Sequence, residues 1–192
     1  EEDLEVLNLK LDVEFEHFDL SLMGATKERE SRSNWEVPIW LGVFDGLSTT
    51  DGLFEDINTE TDTFEARLVS TGDGPIEWIA GVWYEKQDEN DRRLMTFQTP
   101  RDDFLLFGFI GDGDVLWDHK TFNNKEELSG YGEVGYQFTE QAKLTVGYRR
   151  TNLKLDPGVL TADGPLDQGG LAPAIEVDES SEEDINTYKI HF

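Results

Sequence analysis

Acidic side chains are the most abundant chemically active groups of this chain, and one glycine-rich stretch concentrates them. Asp112, Asp114 and Asp118 follow one another around Gly111 and Gly113. Carboxylate oxygens are the ligands that Ca²⁺ prefers, so these three residues are the calcium candidates of the sequence. The full spacing of a calcium-binding loop is absent, and a solvated acidic loop is the favoured interpretation. No other cofactor is expected.

The remaining reactive residues do not form a recognisable catalytic motif. His17, His119 and His191 lie far apart in the sequence, without the spacing of zinc ligands. No Gly-x-Ser-x-Gly segment occurs. With 42 acidic residues, some carboxylates must lie at glycosidase distances by chance, so such pairs discriminate nothing. We therefore expect that the protein is not an enzyme.

Aromatic and arginine side chains form the second candidate site. Most of them lie in stretches without regular alternation, which the sequence predicts to be long loops. Aromatic faces stack on sugars and aryl groups, with about 1 kcal/mol each, and arginine binds anionic groups. The candidate ligand-binding residues are Trp35, Trp40, Phe44, Phe97, Arg101, Phe104, Phe107, Phe109 and Trp117. Packing of the loops against one another is the alternative explanation.

Composition limits the class of protein and its partners. The net charge of −26 leaves nothing to neutralise nucleic-acid phosphates, so no nucleic-acid partner is expected. Aromatic residues make up 11% of the chain and recur periodically, which argues against disorder. Without cysteine, no disulfide or thiolate metal site can form. No apolar run is long enough for a transmembrane helix, whereas a β-barrel with polar lumen residues stays compatible with this composition.

Alternation of apolar and polar residues predicts that β-strands carry these candidate residues. The predicted strand hairpins and the final strand cover about residues 4–34, 59–95, 123–156 and 183–192 of a single unit, 1–192. The predicted long loops cover about residues 35–58, 96–122 and 157–182.

The layout of these strands favours a membrane protein. Short turns at one end and long loops at the other are typical of outer-membrane barrels, and strands of about ten residues suit a tilted span of a bilayer. Several aromatics lie beside the short turns, where an interfacial girdle is expected: Phe15, Phe18, Trp78, Tyr136 and Phe138. The predicted fold is all-β, an antiparallel transmembrane β-barrel or part of one. It has about seven long strands, short periplasmic turns and long extracellular loops.

Two stretches carry a family resemblance. FEARLVSTGDGPIEWIAGVWYEK and EELSGYGEVGYQFTEQAKLTVGYRRTNLKL resemble the barrel region of TonB-dependent outer-membrane receptors. Those receptors typically carry E-x-R-L-x-S, a short turn and W-x-x-G-x-Y, followed by an aromatic-glycine-glutamate strand and L-T-x-G-x-R. The matching residues are Glu65, Arg67, Leu68, Ser70, Trp78, Gly81, Tyr84, Tyr131, Gly132, Glu133, Tyr136, Leu144, Thr145, Gly147 and Arg149.

The resemblance implies a function in uptake. Such receptors have barrels of about 22 strands with a plugged lumen, whereas this chain supplies about seven strands and no plug domain. The expectation is therefore a barrel segment in the outer membrane of a Gram-negative cell, which takes up a scarce solute such as a ferric siderophore. Its implied partners are outer-membrane lipid, the remaining barrel strands, a plug domain, TonB acting through that plug, and a small-molecule ligand. Glu65, Arg67, Glu133 and Arg149 should face the lumen.

Two alternatives stay open at this stage. A soluble antiparallel sheet with one wet face alternates in the same way, so an acidic β-sandwich that binds carbohydrate would show this pattern. A small closed outer-membrane barrel with a structural role would also fit, because eight strands suffice to close a barrel.

Overall fold

The structure is a computed structural model that describes residues 1–38, 50–106, 109–163 and 180–192. The regular elements in these ranges are β-strands. In chain order they are β1 (Glu2–Glu14), β2 (Phe18–Pro38), β3 (Thr50–Ser70), β4 (Ile76–Leu106), β5 (Phe109–Thr139), β6 (Ala142–Asp163) and β7 (Ser181–His191). Within the described ranges, no helix is long and apolar enough to cross a membrane.

The strands form one sheet in which each strand lies beside the next in sequence, in the order β1-β2-β3-β4-β5-β6-β7. Every neighbouring pair is antiparallel. Short turns join β1 to β2, β3 to β4 and β5 to β6 at one end of the sheet. In the second turn Gly72 has a φ of 119°, a backbone conformation that residues with a Cβ atom rarely adopt. The expected all-β class, with seven long antiparallel strands, is confirmed.

The strands run farther than the sequence predicts. The predicted loops are wrong where strands replace them, at residues 35–38, 50–58, 96–106, 109–122 and 157–163. Strands β4 and β5 each reach 31 residues. Neighbouring strands satisfy the backbone hydrogen bonds of these segments, so a strand persists there without apolar alternation. Residues 39–49, 107–108 and 164–179 lie outside the described ranges.

The two faces of the sheet differ in polarity and exposure. One face, here called the apolar face, carries Leu128, Val134 and Val146, which are 56%, 53% and 49% exposed. The opposite, polar face carries Ser129 and Thr145, which are 0% and 8% exposed. An ordinary water-soluble sheet buries its apolar side instead, so this arrangement inverts the usual pattern.

Aromatic rings border the apolar face at both ends. The margin beside the short turns holds the predicted girdle, in which the rings of Phe15 and Phe18 stack at 4.7 Å and those of Tyr136 and Phe138 meet edge-on at 4.7 Å. A second margin lies farther along the strands. It comprises Phe64, Tyr84, Tyr148 and Tyr188. Beyond this second margin the face becomes polar.

The far margin of the apolar face runs obliquely across the sheet. Polar side chains first appear on this face at Glu5 of β1 and at Asn186 of β7. The register links Asn186 across the sheet to Leu11, which is six residues from Glu5 along β1. Six residues of about 3.3 Å over six strand spacings of about 4.8 Å correspond to an angle of about 35°. We call the apolar part of this face, between its two aromatic margins, the apolar band. The strands are therefore inclined by about 35° to the line that crosses this band at a right angle.

Candidate functional site

The four residues that the sequence assigns to a lumen lie together on the polar face. Arg67, on β3, and Arg149, on β6, belong to one register row, which passes through Gly81 and Tyr131. Glu65 is two residues from Arg67, and Glu133 is two residues from Tyr131, so both point to the same side. The structure thus groups these side chains, and their exposure to a lumen stays a prediction.

A hydrogen bond joins Tyr131 of β5 to Glu65 of β3, across the intervening strand β4. The Tyr131 hydroxyl donates a 2.6 Å hydrogen bond to Glu65 Oε1. To reach β3 from β5, the ring lies over Gly81 of the intervening strand β4. A Cβ at Gly81 would lie 2.5 Å from the ring and from the hydroxyl oxygen, so only glycine leaves room there. Glycine at this position therefore allows the contact between strands that are not neighbours.

Arg149 organises a second cluster. Its Nη2 donates to Glu127 Oε1 at 2.8 Å and to Ser129 Oγ at 3.0 Å. Its Nε donates to Thr151 Oγ1 at 3.3 Å. The hydroxyl oxygens of Ser129 and Thr151 are 2.7 Å apart. The cluster therefore joins β5 to β6 through the guanidinium of Arg149, which donates to a carboxylate of β5 and to hydroxyl groups of both strands.

The remaining charges of the face are unevenly paired. Lys189 Nζ of β7 donates to Glu133 Oε2 at 2.8 Å and so connects β7 to β5. In contrast, Arg67 Nε is buried and has no hydrogen-bond partner among the described residues. A buried donor of this kind costs free energy until an acceptor reaches it. Among the described residues, the Nε atom of Arg67 is thus a buried donor without an acceptor.

A cavity of about 400 Å³ lies on the polar face among these clusters. Its lining includes Trp83, Tyr131, Glu133, Arg149, Thr187 and Lys189. Aromatic faces, a guanidinium, an ammonium and a carboxylate meet there. Such a surface can bind a polar polypeptide segment or a hydroxylated solute.

Beyond the second aromatic margin, Asp91 occupies an enclosed position. Burial raises the pKa of the Asp91 carboxyl above its ordinary value of 3.8, while the nearby Arg93 lowers it. Arg93 Nη2 lies 2.8 Å from Asp91 Oδ2, and Arg93 Nε lies 3.0 Å from Glu55 Oε1. Asp91 Oδ1 has no hydrogen-bond partner in the described part of the chain. The fold therefore favours the protonated form of the Asp91 carboxyl group.

Asp118 has the opposite environment. Arg92 holds it through two parallel bonds, Nε to Oδ1 at 2.9 Å and Nη2 to Oδ2 at 2.8 Å. The hydrogen bond from Arg92 keeps the pKa of Asp118 below its usual value. Both oxygens of Asp118 thus have a cationic partner.

This pairing bears on the calcium candidates. Asp112 and Asp114 lie on strand β5 rather than in the predicted loop, and their side chains are outside the described set. Among the side chains that the structure describes, no group of three acidic or histidine residues could hold a metal ion. Calcium binding by Asp112, Asp114 and Asp118 stays a prediction.

The ligand-binding candidates are dispersed along the extended strands. Trp35 lies on β2 and is 47% exposed. The candidates on β4 and β5, whose backbones alone are described, are Phe97, Arg101, Phe104, Phe109 and Trp117. Three more lie outside the described ranges, namely Trp40, Phe44 and Phe107. Ligand binding by this set stays a prediction.

Several polar-face residues were not singled out from the sequence. The sequence identifies Tyr131 only as part of a motif, although its period of two with Ser129 and Glu133 predicts that it lies on the polar face. Trp83 and Lys189 gave no local signal. Their role follows from the register, which brings together residues up to 66 positions apart.

Comparisons with known proteins address the fold. No protein-family model matches the chain, and no curated protein matches its sequence. Among solved structures, the chain is similar to the ferric yersiniabactin uptake receptor FyuA from Yersinia pestis, with 11% identity and a TM-score of 0.62. The match covers 98% of this chain and 24% of the receptor chain. The chain therefore has the fold of one part of a receptor β-barrel and spans about a quarter of that receptor's length.

Proposed function

We propose that this chain is a wall segment of a TonB-dependent receptor in the outer membrane of a Gram-negative cell. The oblique apolar band between two aromatic margins carries the proposal. Outer-membrane barrels have strands inclined by about 35–45° and an apolar band about 25 Å tall between aromatic girdles. The eight steps between Leu128 and Tyr136 of β5 give about 26 Å along the strand and about 22 Å of height at this inclination.

A membrane also explains which face is exposed. Leu9 and Ile190 are each 77% exposed on the apolar face, which would be costly in water and is favourable in lipid. The polar face, with its cross-strand ion pairs, would line the barrel interior. A soluble carbohydrate-binding sandwich would need to cover this apolar face, and the described residues of the chain do not cover it.

The cargo proposal is a ferric siderophore or another scarce, large solute. The sequence resemblance supports energised uptake, and the structural likeness to a ferric yersiniabactin uptake receptor supports the siderophore class. In this proposal the strand extensions beyond the band and their connections capture the ligand outside the cell. A plug domain, moved by TonB, would then open the path, while this chain supplies the wall and has no catalytic role.

The membrane assignment can be tested with two tryptophans of one strand. Trp78 lies at the aromatic margin of the apolar face, whereas Trp83, five residues along β4, lies on the polar face. Variants in which Trp78 or Trp83 is the single remaining tryptophan of the five are folded in phosphatidylcholine brominated near the headgroup end of the acyl chains. Quenching of Trp78 and little quenching of Trp83 are expected. Equal quenching, or a protein that stays monodisperse without detergent, would contradict the membrane assignment.

Membrane location can be tested in cells. The chain should fractionate with the outer membrane and migrate faster on a gel before heating than after it. The detection of the protein in the soluble fraction, without a heat-dependent change of mobility, would reject the receptor proposal.

A further inference from the structure

We propose that the polar face, beyond the level of the second aromatic margin, holds a subsite for the ammonium group of an amine-bearing solute, with Asp91 as its acceptor. The inference rests on the proposed function and deepens it by specifying the charge of the cargo. A solute that carries a free amine fits this subsite, whereas an anionic solute of the same size does not.

The subsite lies on the side of the sheet that the proposed function assigns to the barrel interior. Side chains alternate between the two faces along β4, so Asp91 and Arg93 point to the same side as Trp83. Asp91 is seven residues beyond Tyr84 of the second aromatic margin, about 23 Å along the strand. In the proposed function this level is the entrance that a solute passes before it reaches the membrane.

The charged groups at this level share too few donors. Arg93 serves two carboxylates, since its Nη2 lies 2.8 Å from Asp91 Oδ2 and its Nε lies 3.0 Å from Glu55 Oε1. His119 of β5 lies opposite Arg93 in the register. Asp91 Oδ1 is buried without a hydrogen-bond partner among the described residues. With His119 neutral, these groups carry one negative charge in excess, next to an acceptor that lacks a donor.

An ammonium group supplies what this cluster lacks. It brings a positive charge and several N–H donors, so it can bind Asp91 Oδ1 while Arg93 keeps its bond to Oδ2. Hydrogen bonds between charged groups are roughly twice as strong as neutral ones, and pairing offsets the cost of a buried carboxylate. A carboxylate or phenolate of a solute would instead meet the two acidic groups of the cluster.

An apolar row lies next to this cluster, farther from the membrane. The register aligns Trp35, Leu53 and Met95 across β2, β3 and β4, and the backbone of Trp117 continues this row on β5. Leu53 is two residues from Glu55, so the row and the cluster share one face. The Trp35 side chain is 47% exposed. A solute that extends over about 13 Å could therefore place its amine at the cluster and its apolar part on this row.

The charge of the whole chain favours a cargo of the same sign. A net charge of −26 attracts cations and repels anions over distances longer than a hydrogen bond. On the opposite face of β4, Arg92 already binds both oxygens of Asp118, so that carboxylate differs from Asp91. The long-range field and the local acceptor therefore select the same class of solute.

A series of ferric complexes that differ only in charge tests the proposal. The core is a linear ferric trihydroxamate, whose terminal amine is left free, acetylated or succinylated to give a cationic, a neutral and an anionic complex. Binding is measured on outer membranes of cells that produce the protein, with membranes lacking it as the blank. The free-amine complex should bind about tenfold more tightly than the acetylated one, and the succinylated complex should bind more weakly still.

Variants of similar size assign this preference to the subsite. Asp91→Asn removes the charged acceptor, and Asp56→Asn is the matched control, because Asp56 lies on the opposite face with a side chain that is 57% exposed. Asp91→Asn should reduce the preference for the free amine to about twofold or less, whereas Asp56→Asn should leave it at about tenfold. Heat-modifiable gel mobility shows whether each variant is folded in the membrane.

The possible results separate this inference from the proposed function. Equal binding of the three complexes, tighter binding of the succinylated complex, or a preference that survives Asp91→Asn would overturn the subsite and leave the receptor function in place. Binding of none of them by a folded protein in the outer membrane would also overturn the subsite. A protein that is absent from the outer-membrane fraction would overturn both.

Discussion

The contact of Tyr131 over Gly81 gives the sharpest test of the polar face. In a Gly81→Ala variant the added Cβ would lie 2.5 Å from the Tyr131 ring and 2.9 Å from the carbonyl oxygen of Ala66. The ring must move, and its 2.6 Å hydrogen bond to Glu65 must lengthen or break. Hydrogen bonds to charged groups contribute about 1.5–3 kcal/mol, so we expect a loss of about 2–3 kcal/mol of unfolding free energy.

Gly130→Ala is the matched control. Gly130 precedes Tyr131 on the opposite face, and a Cβ there would meet no atom within 4 Å. This control should be neutral or stabilising by up to about 1 kcal/mol, because alanine reduces the freedom of the unfolded chain. Gly81→Ala should therefore lower the unfolding free energy, whereas Gly130→Ala should not.

The measurement is thermal unfolding of the membrane-inserted protein, read as the loss of heat-modifiable gel mobility. A loss of 2–3 kcal/mol corresponds to a midpoint about 5–10 °C lower for a protein of this size. Tyr131→Phe removes the same hydrogen bond without a clash, so the double variant with Gly81→Ala should be little worse than Gly81→Ala alone. Additive losses, or equal midpoints for Gly81→Ala and Gly130→Ala, would refute the reasoning.

Three further predictions address the faces and the charges beyond the band. Val146→Arg should block insertion into liposomes, because an outward arginine near the bilayer midplane costs about 2–4 kcal/mol, whereas Arg149→Gln on the polar face should insert; equal insertion would contradict the face assignment. Burial raises the pKa of Asp91, so the fold favours its protonated form, and this stability is lost as the pH rises through the folded-state pKa. Asp91→Asn should unfold at a higher temperature than the parent at pH 7, and the difference should vanish below about pH 4. Arg92 lowers the pKa of Asp118, so Asp118→Asn should cost about 0.5–1 kcal/mol at pH 7 and nothing at low pH; a pH-independent cost would exclude the ion pair as its source.

Local sequence patterns determined the strands and the turns. Apolar alternation in Leu7–Val13 and Ile76–Tyr84 reports a face, because successive side chains of a strand point to opposite sides. The same alternation grouped Glu65, Arg67, Glu133 and Arg149 on one side. These features depend only on residues close together in the chain.

The extent of the strands could not be obtained in this way. Around Asp56 and Lys120 polar residues occupy both faces, so alternation gives no signal, and the sequence predicts loops there. The strands continue because β3, β4 and β5 satisfy one another's backbone groups in register. Pairing between strands, rather than side-chain pattern, sets the strand ends.

The sequence by itself thus determined the class of fold, the short turns and the polarity of each strand. Tertiary structure alone decided the register, the 35° inclination of the apolar band and the second aromatic margin. It also decided the bond from Tyr131 to Glu65, which joins residues 66 positions apart. The physical reason is that side-chain alternation is a property of one strand, whereas register is fixed by hydrogen bonds and packing among several strands at once.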